Sequence, residues 1–156
     1  MTDCIFCSLE KGVERNVVFK SENFRIVLDQ FPLNFGHCLI IPKSHVDQLE
    51  DLSDEEFLEL KQMISKAKKL IENHDLRERY RENLKDPVSE KSADFTEQVI
   101  DQEGNPEGFN IGVNSNRVAG RTIDHLHIQV IPRYEGDVEN PEGGIRNVIP
   151  RKADYT

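Results

Sequence analysis

Apolar residues recur at two different spacings along this chain, and the switches between them predict its elements. Residues 17–20 and 24–28 are short β-prone runs, separated by Ser21-Glu22-Asn23, and that composition predicts a hairpin. A third run, Cys38-Leu39-Ile40-Ile41, follows a loop from Gln30 to Gly36, where the glycine suits a close turn. The spacing then changes to steps of three and four at Phe57, Leu60, Ile64, Ala67 and Ile71, widened by Met63 and Leu70. This predicts one long amphipathic helix, opened at Ser53 by a capping box with Glu56. Lys61, Lys66, Lys68 and Lys69 fall on its polar side and read as a solvated face. Alternation returns over residues 109–114 and 125–132, predicting two adjacent antiparallel strands. In the second of these, His125, His127 and Gln129 share one face while Leu126, Ile128 and Val130 enter the core.

Residues 75–105 interrupt this pattern with dense charge and too few apolar positions for a second core. They read as a charged insertion that extends the helix or adds a short one, then runs irregularly with one strand over 95–100. Residues 136–156, with Pro141, Pro150 and Gly143-Gly144, read as an extended C-terminal arm. Nothing repeats, and a chain of 156 residues patterned in this way is one domain, 1–156.

Charge and cysteine content narrow the function. Twenty Lys and Arg against 29 Asp and Glu leave a net charge of −9, which repels nucleic acid and anionic membrane, so neither is an expected partner. A polyanionic ligand must meet a local donor-rich site. Cys4, Cys7 and Cys38 do not make a disulfide framework, and no segment has spanning or signal-peptide length. A cytoplasmic setting is expected. Cys38, inside an apolar strand, reads as core.

Candidate chemistry sits at both ends of this framework. Cys4-Ile5-Phe6-Cys7 is a C-x-x-C pair, which alone fits a metal site, an inert thiol pair or a redox pair. The redox reading wants a preceding buried strand, and only three residues precede it here. His45 follows the third strand at a point from which it can fold back toward those cysteines, though by itself it reads as a surface residue. His74 reads as a helix cap or surface residue. The loop Asn114 to Thr122, immediately before the histidines, is rich in groups that can bind phosphate.

The stretch Gly120-Arg121-Thr122-Ile123-Asp124-His125-Leu126-His127-Ile128-Gln129-Val130 resembles the signature of the histidine-triad (HIT) superfamily. Gly36-His37-Cys38-Leu39-Ile40-Ile41-Pro42-Lys43 resembles its Gly-His strand, and residues 110–122 its phosphate loop. The resemblance implies an α+β fold: an antiparallel sheet of about five strands with one long helix packed on it, usually paired as a two-fold homodimer. It implies a structural zinc ion held by Cys4, Cys7, His45 and His125, a ligand set suited to tetrahedral coordination. It also implies a nucleotide substrate, with His127 as the nucleophile on the α-phosphate, His125 organising the strand, and His37 lying alongside. Asp29 would bind ribose, and Asn114, Arg121 and Thr122 would bind phosphate oxygens.

Two positions depart from the family pattern. Gln129 stands at the third triad position, and Arg121 where glutamine or asparagine is commoner. Glutamine cannot act as a general acid near pH 7, so an amine leaving group is disfavoured and an anionic one is not. Arg121 suits a longer polyphosphate, or alternatively makes a surface ion pair. The expected activity is hydrolysis of dinucleoside polyphosphates or related nucleotides through a nucleotidyl-histidine intermediate. The alternatives are a nucleotidyltransferase or phosphorylase, and a nucleotide-binding module with little turnover.

Overall fold

The computed structural model describes residues 4–153. Five strands, β1 (Val17–Lys20), β2 (Phe24–Leu28), β3 (Cys38–Pro42), β4 (Gly108–Gly112) and β5 (Ile128–Arg133), form one sheet in the order β1-β2-β3-β5-β4. Every neighbouring pair is antiparallel. The strand period of two divides the side chains between two cores. Phe24, Ile26, Leu28, Cys38, Ile40, Ile128 and Val130 pack on the helical side, while Val27, Leu39 and Ile41 pack with Phe6 and Val13 on the other.

Two short helices, α1 (Ile5–Ser8) and α2 (Lys11–Glu14), precede the sheet, and α3 (Asp54–Asn73) crosses its helical side. The expected capping box is present: Ser53 Oγ accepts from the Glu56 N–H, and the Glu56 carboxylate accepts from the Ser53 N–H. Leu60, Met63, Ala67, Leu70 and Ile71 are buried, whereas Phe57 stays 53% exposed. His74 is the C-cap, its N–H donating to the Leu70 carbonyl. The lysine face is not purely solvated. Lys66 Nζ lies 4.7 Å from the centre of the Phe19 ring and Lys68 Nζ 4.9 Å from that of Phe109, so these stems cover aromatic surface.

The expected strand over 95–100 is corrected to helix. Residues 75–105 contain α4 (Arg77–Lys85) and α5 (Glu90–Val99). Phe95, Thr96, Val99 and Ile100 are β-prone, but Ser89 caps the segment and burial falls on Ser92, Thr96 and Val99 at helical spacing. The segment contributes to the main core, through Leu76, Tyr80 and Val99. It also holds the loop between β2 and β3. The Tyr80 hydroxyl accepts from the Gly36 N–H at 2.9 Å, and Gln102 Oε1 accepts from the Phe35 N–H at 2.8 Å. Ser92 Oγ donates to the Gln30 carbonyl. Gly36 itself has φ +90°, and a Cβ there would meet Ile71 at 2.8 Å, so the turn requires glycine.

Two further boundaries shift. β5 begins at Ile128, since its pairing with β3 ends at Ile40 opposite Ile128. His125 to His127 precede the ladder and are tied to the chain after β3 by the Leu126 N–H, which donates to the Val46 carbonyl at 2.7 Å. Their alternation nevertheless persists, with Leu126 in the main core and His127 against Phe6. The C-terminal arm is not extended throughout: Gly144–Val148 and Pro150–Lys152 are 3-10 turns. Arg133 anchors its start through paired bonds to Asp137, whose carboxyl is held well below the usual carboxylate range by that guanidinium.

Candidate functional site

Two backbone carbonyls set the protonation of the paired histidines. His127 Nδ1 lies 2.8 Å from the His125 carbonyl oxygen. A carbonyl only accepts, so in the neutral ring Nδ1 carries the proton and Nε2 keeps its lone pair. His125 has the opposite arrangement. Its Nε2 donates to the Pro42 carbonyl at 2.9 Å, which leaves the Nδ1 lone pair facing Cys4 Sγ at 3.4 Å and Cys7 Sγ at 3.5 Å. Burial holds His125 below its ordinary imidazole pKa, opposed by the bond to Pro42.

His127 lines a cleft of about 200 Å³ on the sheet face opposite α3. Asp29, Thr122 and Gln129 are its other expected site residues, while Ile5, Phe6 and Phe31 supply apolar walls. The Phe6 ring meets His127 at 5.5 Å and 64° and His125 at 5.7 Å and 90°, both edge-type contacts. Asp29 is held by accepting the Phe31 N–H. His37 Nε2 stands 3.9 Å from Asp29 Oδ2, and its Nδ1 accepts from the Leu33 N–H. Burial keeps His37 below its ordinary pKa, against the pull of the Asp29 carboxylate and the Gln129 amide. Cys38, wholly buried, has its thiol pushed up to about 12 and is inert.

Two expected phosphate-binding residues lie elsewhere. Arg121 does not line the cleft: it donates to the Asp47 carbonyl at 2.9 Å and pairs with Asp124 at 3.3 Å, which ties the His45 segment to the one preceding His125. Asn114 lines an adjacent chamber that shares Gln129 with the cleft. Phe6 and Arg25 were not singled out from the sequence. The available signal for Phe6 was its place between two cysteines, and for Arg25 there was none. Burial and Cys4 raise the Cys7 pKa, and the Arg25 guanidinium opposes them only in part.

Cys4, Cys7, His45 and His125 bring four ligand atoms within 4.8 Å of one another. Three sulfur to nitrogen separations, Cys4–His125, Cys7–His45 and Cys7–His125, are 3.2 to 3.5 Å. A tetrahedral zinc ion with ordinary Zn–S and Zn–N bonds needs about 3.5 Å along such an edge. The donors therefore fit that ion, and the Pro42 carbonyl fixes the His125 tautomer that coordination requires.

The HIT domain profile matches residues 10–136. This chain belongs to the HIT family. It is 33% identical over 147 residues to an uncharacterized HIT-like protein of Methanocaldococcus jannaschii, covering 93% of this chain and 91% of that one. It is also 33% identical over 122 residues to the AP-4-A phosphorylase of Mycobacterium tuberculosis, covering 78% of this chain and 48% of the phosphorylase. Among solved HIT structures, a Zn-bound histidine triad family protein of Mycobacterium smegmatis aligns with TM-score 0.55 at 24% identity, covering 88% of this chain and 80% of that one. A hypothetical histidine triad nucleotide-binding protein of Sulfolobus tokodaii aligns with TM-score 0.55 at 28% identity, over 85% and 70% of the two chains. The α+β HIT fold, with its five-stranded antiparallel sheet, matches the expectation from the sequence. No helix among the described residues is long and apolar enough to cross a membrane.

Proposed function

We propose that this HIT protein hydrolyses dinucleoside polyphosphates or related nucleotides at the α-phosphate, with His127 as nucleophile. The supporting observation is the bond from His127 Nδ1 to the His125 carbonyl, which leaves Nε2 as a lone pair in a cleft shared with Asp29, Thr122 and Gln129. Nε2 attacks phosphorus, and the bond to the leaving phosphate oxygen breaks with its electron pair on that oxygen. Water then attacks the same phosphorus, the P–N bond breaks, the lone pair returns to Nε2, and one proton passes to solvent. With diadenosine tetraphosphate the products are ATP and AMP. Asp29 is assigned to the ribose hydroxyls and Thr122 to phosphate oxygens, with Asn114 contributing from the neighbouring chamber. His125 organises the segment. Gln129 and His37 are neutral neighbours, so the leaving group departs as an anion.

A second reading is phosphorolysis, in which inorganic phosphate replaces water and ADP replaces AMP. It is favoured by the match to the phosphorylase and by Gln129, since an anionic acceptor needs no base. Turnover of diadenosine tetraphosphate with and without phosphate separates the two, because ADP appears only by phosphorolysis. Intact mass after rapid quench tests both: an added nucleotidyl group on the parent, absent from His127→Ala, is the expected result. Nucleotide binding without this species or turnover would leave a binding module.

Cys4, Cys7, His45 and His125 are proposed to hold zinc, which when bound supplies a structural cross-link between the N-terminus and the histidine segment. Because Cys4 and Cys7 would serve as thiolates, a reducing cytoplasm is part of this reading. A two-fold dimer is also proposed. It is supported by family membership and by β4, an open sheet edge with Ile111 half-buried.

A further inference from the structure

We infer that the chamber beside the cleft, between β4, β5 and the C-terminal arm, receives the second nucleoside of a dinucleotide substrate; this rests on the α-phosphate reaction proposed above. The chamber measures about 440 Å³, within the usual range of small-molecule sites and large enough for a nucleoside. Gln129 lines both it and the cleft, so the two spaces meet beside the reacting histidine. Asn114 lies on the chamber side of that junction, where phosphates beyond the α position would pass.

The lining decides the class of occupant. Leu33, Ile131, Ile145 and Val148 give it apolar walls, and Asn114, Asn147 and Gln129 give it amide groups. No charged side chain lines it among the described residues. A leaving group consisting only of phosphates would find no countercharge there, whereas a neutral base and ribose suit apolar walls with a few amides that match base edges. Ile145 and Val148 are 59% and 76% exposed, so the arm has apolar surface available for such a ligand. Specificity for a dinucleotide over a nucleotide with a small anionic leaving group thus resides in residues 144–148.

The test compares kcat/KM for diadenosine tetraphosphate and adenylyl sulfate, whose leaving group is only sulfate, in the parent, Ile145→Asp and the milder Ile145→Ala. The parent is expected to favour the dinucleotide. Ile145→Asp should lower the ratio of the two kcat/KM values at least tenfold, and Ile145→Ala a few-fold, with circular dichroism unchanged. A nucleotidyl-His127 species with both substrates but a ratio unaffected by either variant overturns the chamber assignment and leaves the proposed reaction intact. No such species with either substrate overturns the reaction and the chamber together. If Ile145→Asp instead converts a dimer to monomer by light scattering and leaves the ratio unchanged, the arm is a subunit contact and the assignment also falls.

Discussion

The Tyr80 hydroxyl accepts the Gly36 N–H at 2.9 Å, joining α4 to the turn that precedes His37. Tyr80 is fully buried, so its removal leaves that amide without a partner in a place water cannot easily reach. Tyr80→Phe should cost about 1–3 kcal/mol, measured by urea denaturation, and raise KM more than it lowers kcat. An unchanged urea midpoint would show that the turn finds another acceptor.

In the proposed reaction, Gln129 is the residue that would limit the leaving group. Replacing it by histidine adds a general acid at that position, a contribution worth about 10²- to 10⁴-fold in favourable geometry. Gln129→His should therefore raise hydrolysis of adenosine 5′-phosphoramidate at least about tenfold, with a smaller effect on diadenosine tetraphosphate. Equal changes for both substrates would remove the leaving-group argument.

Metal content is directly measurable. Protein purified without chelator should carry about one zinc per chain, the stoichiometry of a single four-ligand site. Cys7→Ser should lose most of it and melt at a lower temperature. A metal-free parent with the same melting temperature would reject the site.

His37 gives stability a pH dependence. Its pKa in the fold lies below the ordinary 6.5, chiefly through burial. Below that value the unfolded chain takes up a proton that the folded chain refuses, so stability is full above about pH 6.5 and falls as pH drops. His37→Gln should lack this component. The difference in urea midpoint between parent and variant is expected to shrink from pH 7.5 to pH 5.5, and a constant difference would be the contrary outcome.

Much of this was legible in the residues because local patterns decided it. Alternation at Leu126, Ile128 and Val130 reports a strand-like segment wherever the ladder begins, and Ser53 with Glu56 marks a helix start without tertiary information. Cys4, Cys7, His45 and His125 were drawn together only by the family resemblance, since the C-x-x-C pair alone left three readings and His45 alone read as a surface residue; the fold does bring the four side chains into one cluster. Residues 95–100 were misread because β-propensity is weak beside a cap and a buried face supplied from outside the segment. Arg121 shows the same limit in the site: its type suits phosphate, but only the fold brings Asp47 and Asp124 to its guanidinium. Tyr80 carried no signal, since its partner is a backbone amide 44 residues away.

Ile5 and Phe6, walls of the cleft, are the two residues between Cys4 and Cys7. One tetrapeptide would therefore answer to both proposed ligands. Fixing its backbone costs about 1–2 kcal/mol per residue, and whichever ligand arrives first spares the second that ordering. Zinc and nucleotide are predicted to tighten each other's binding by an equal factor, as reciprocity requires, and zinc titrations with and without AMP that gave identical affinities would refute the linkage. In a cell short of metal, the proposed site would hold its nucleotide more weakly.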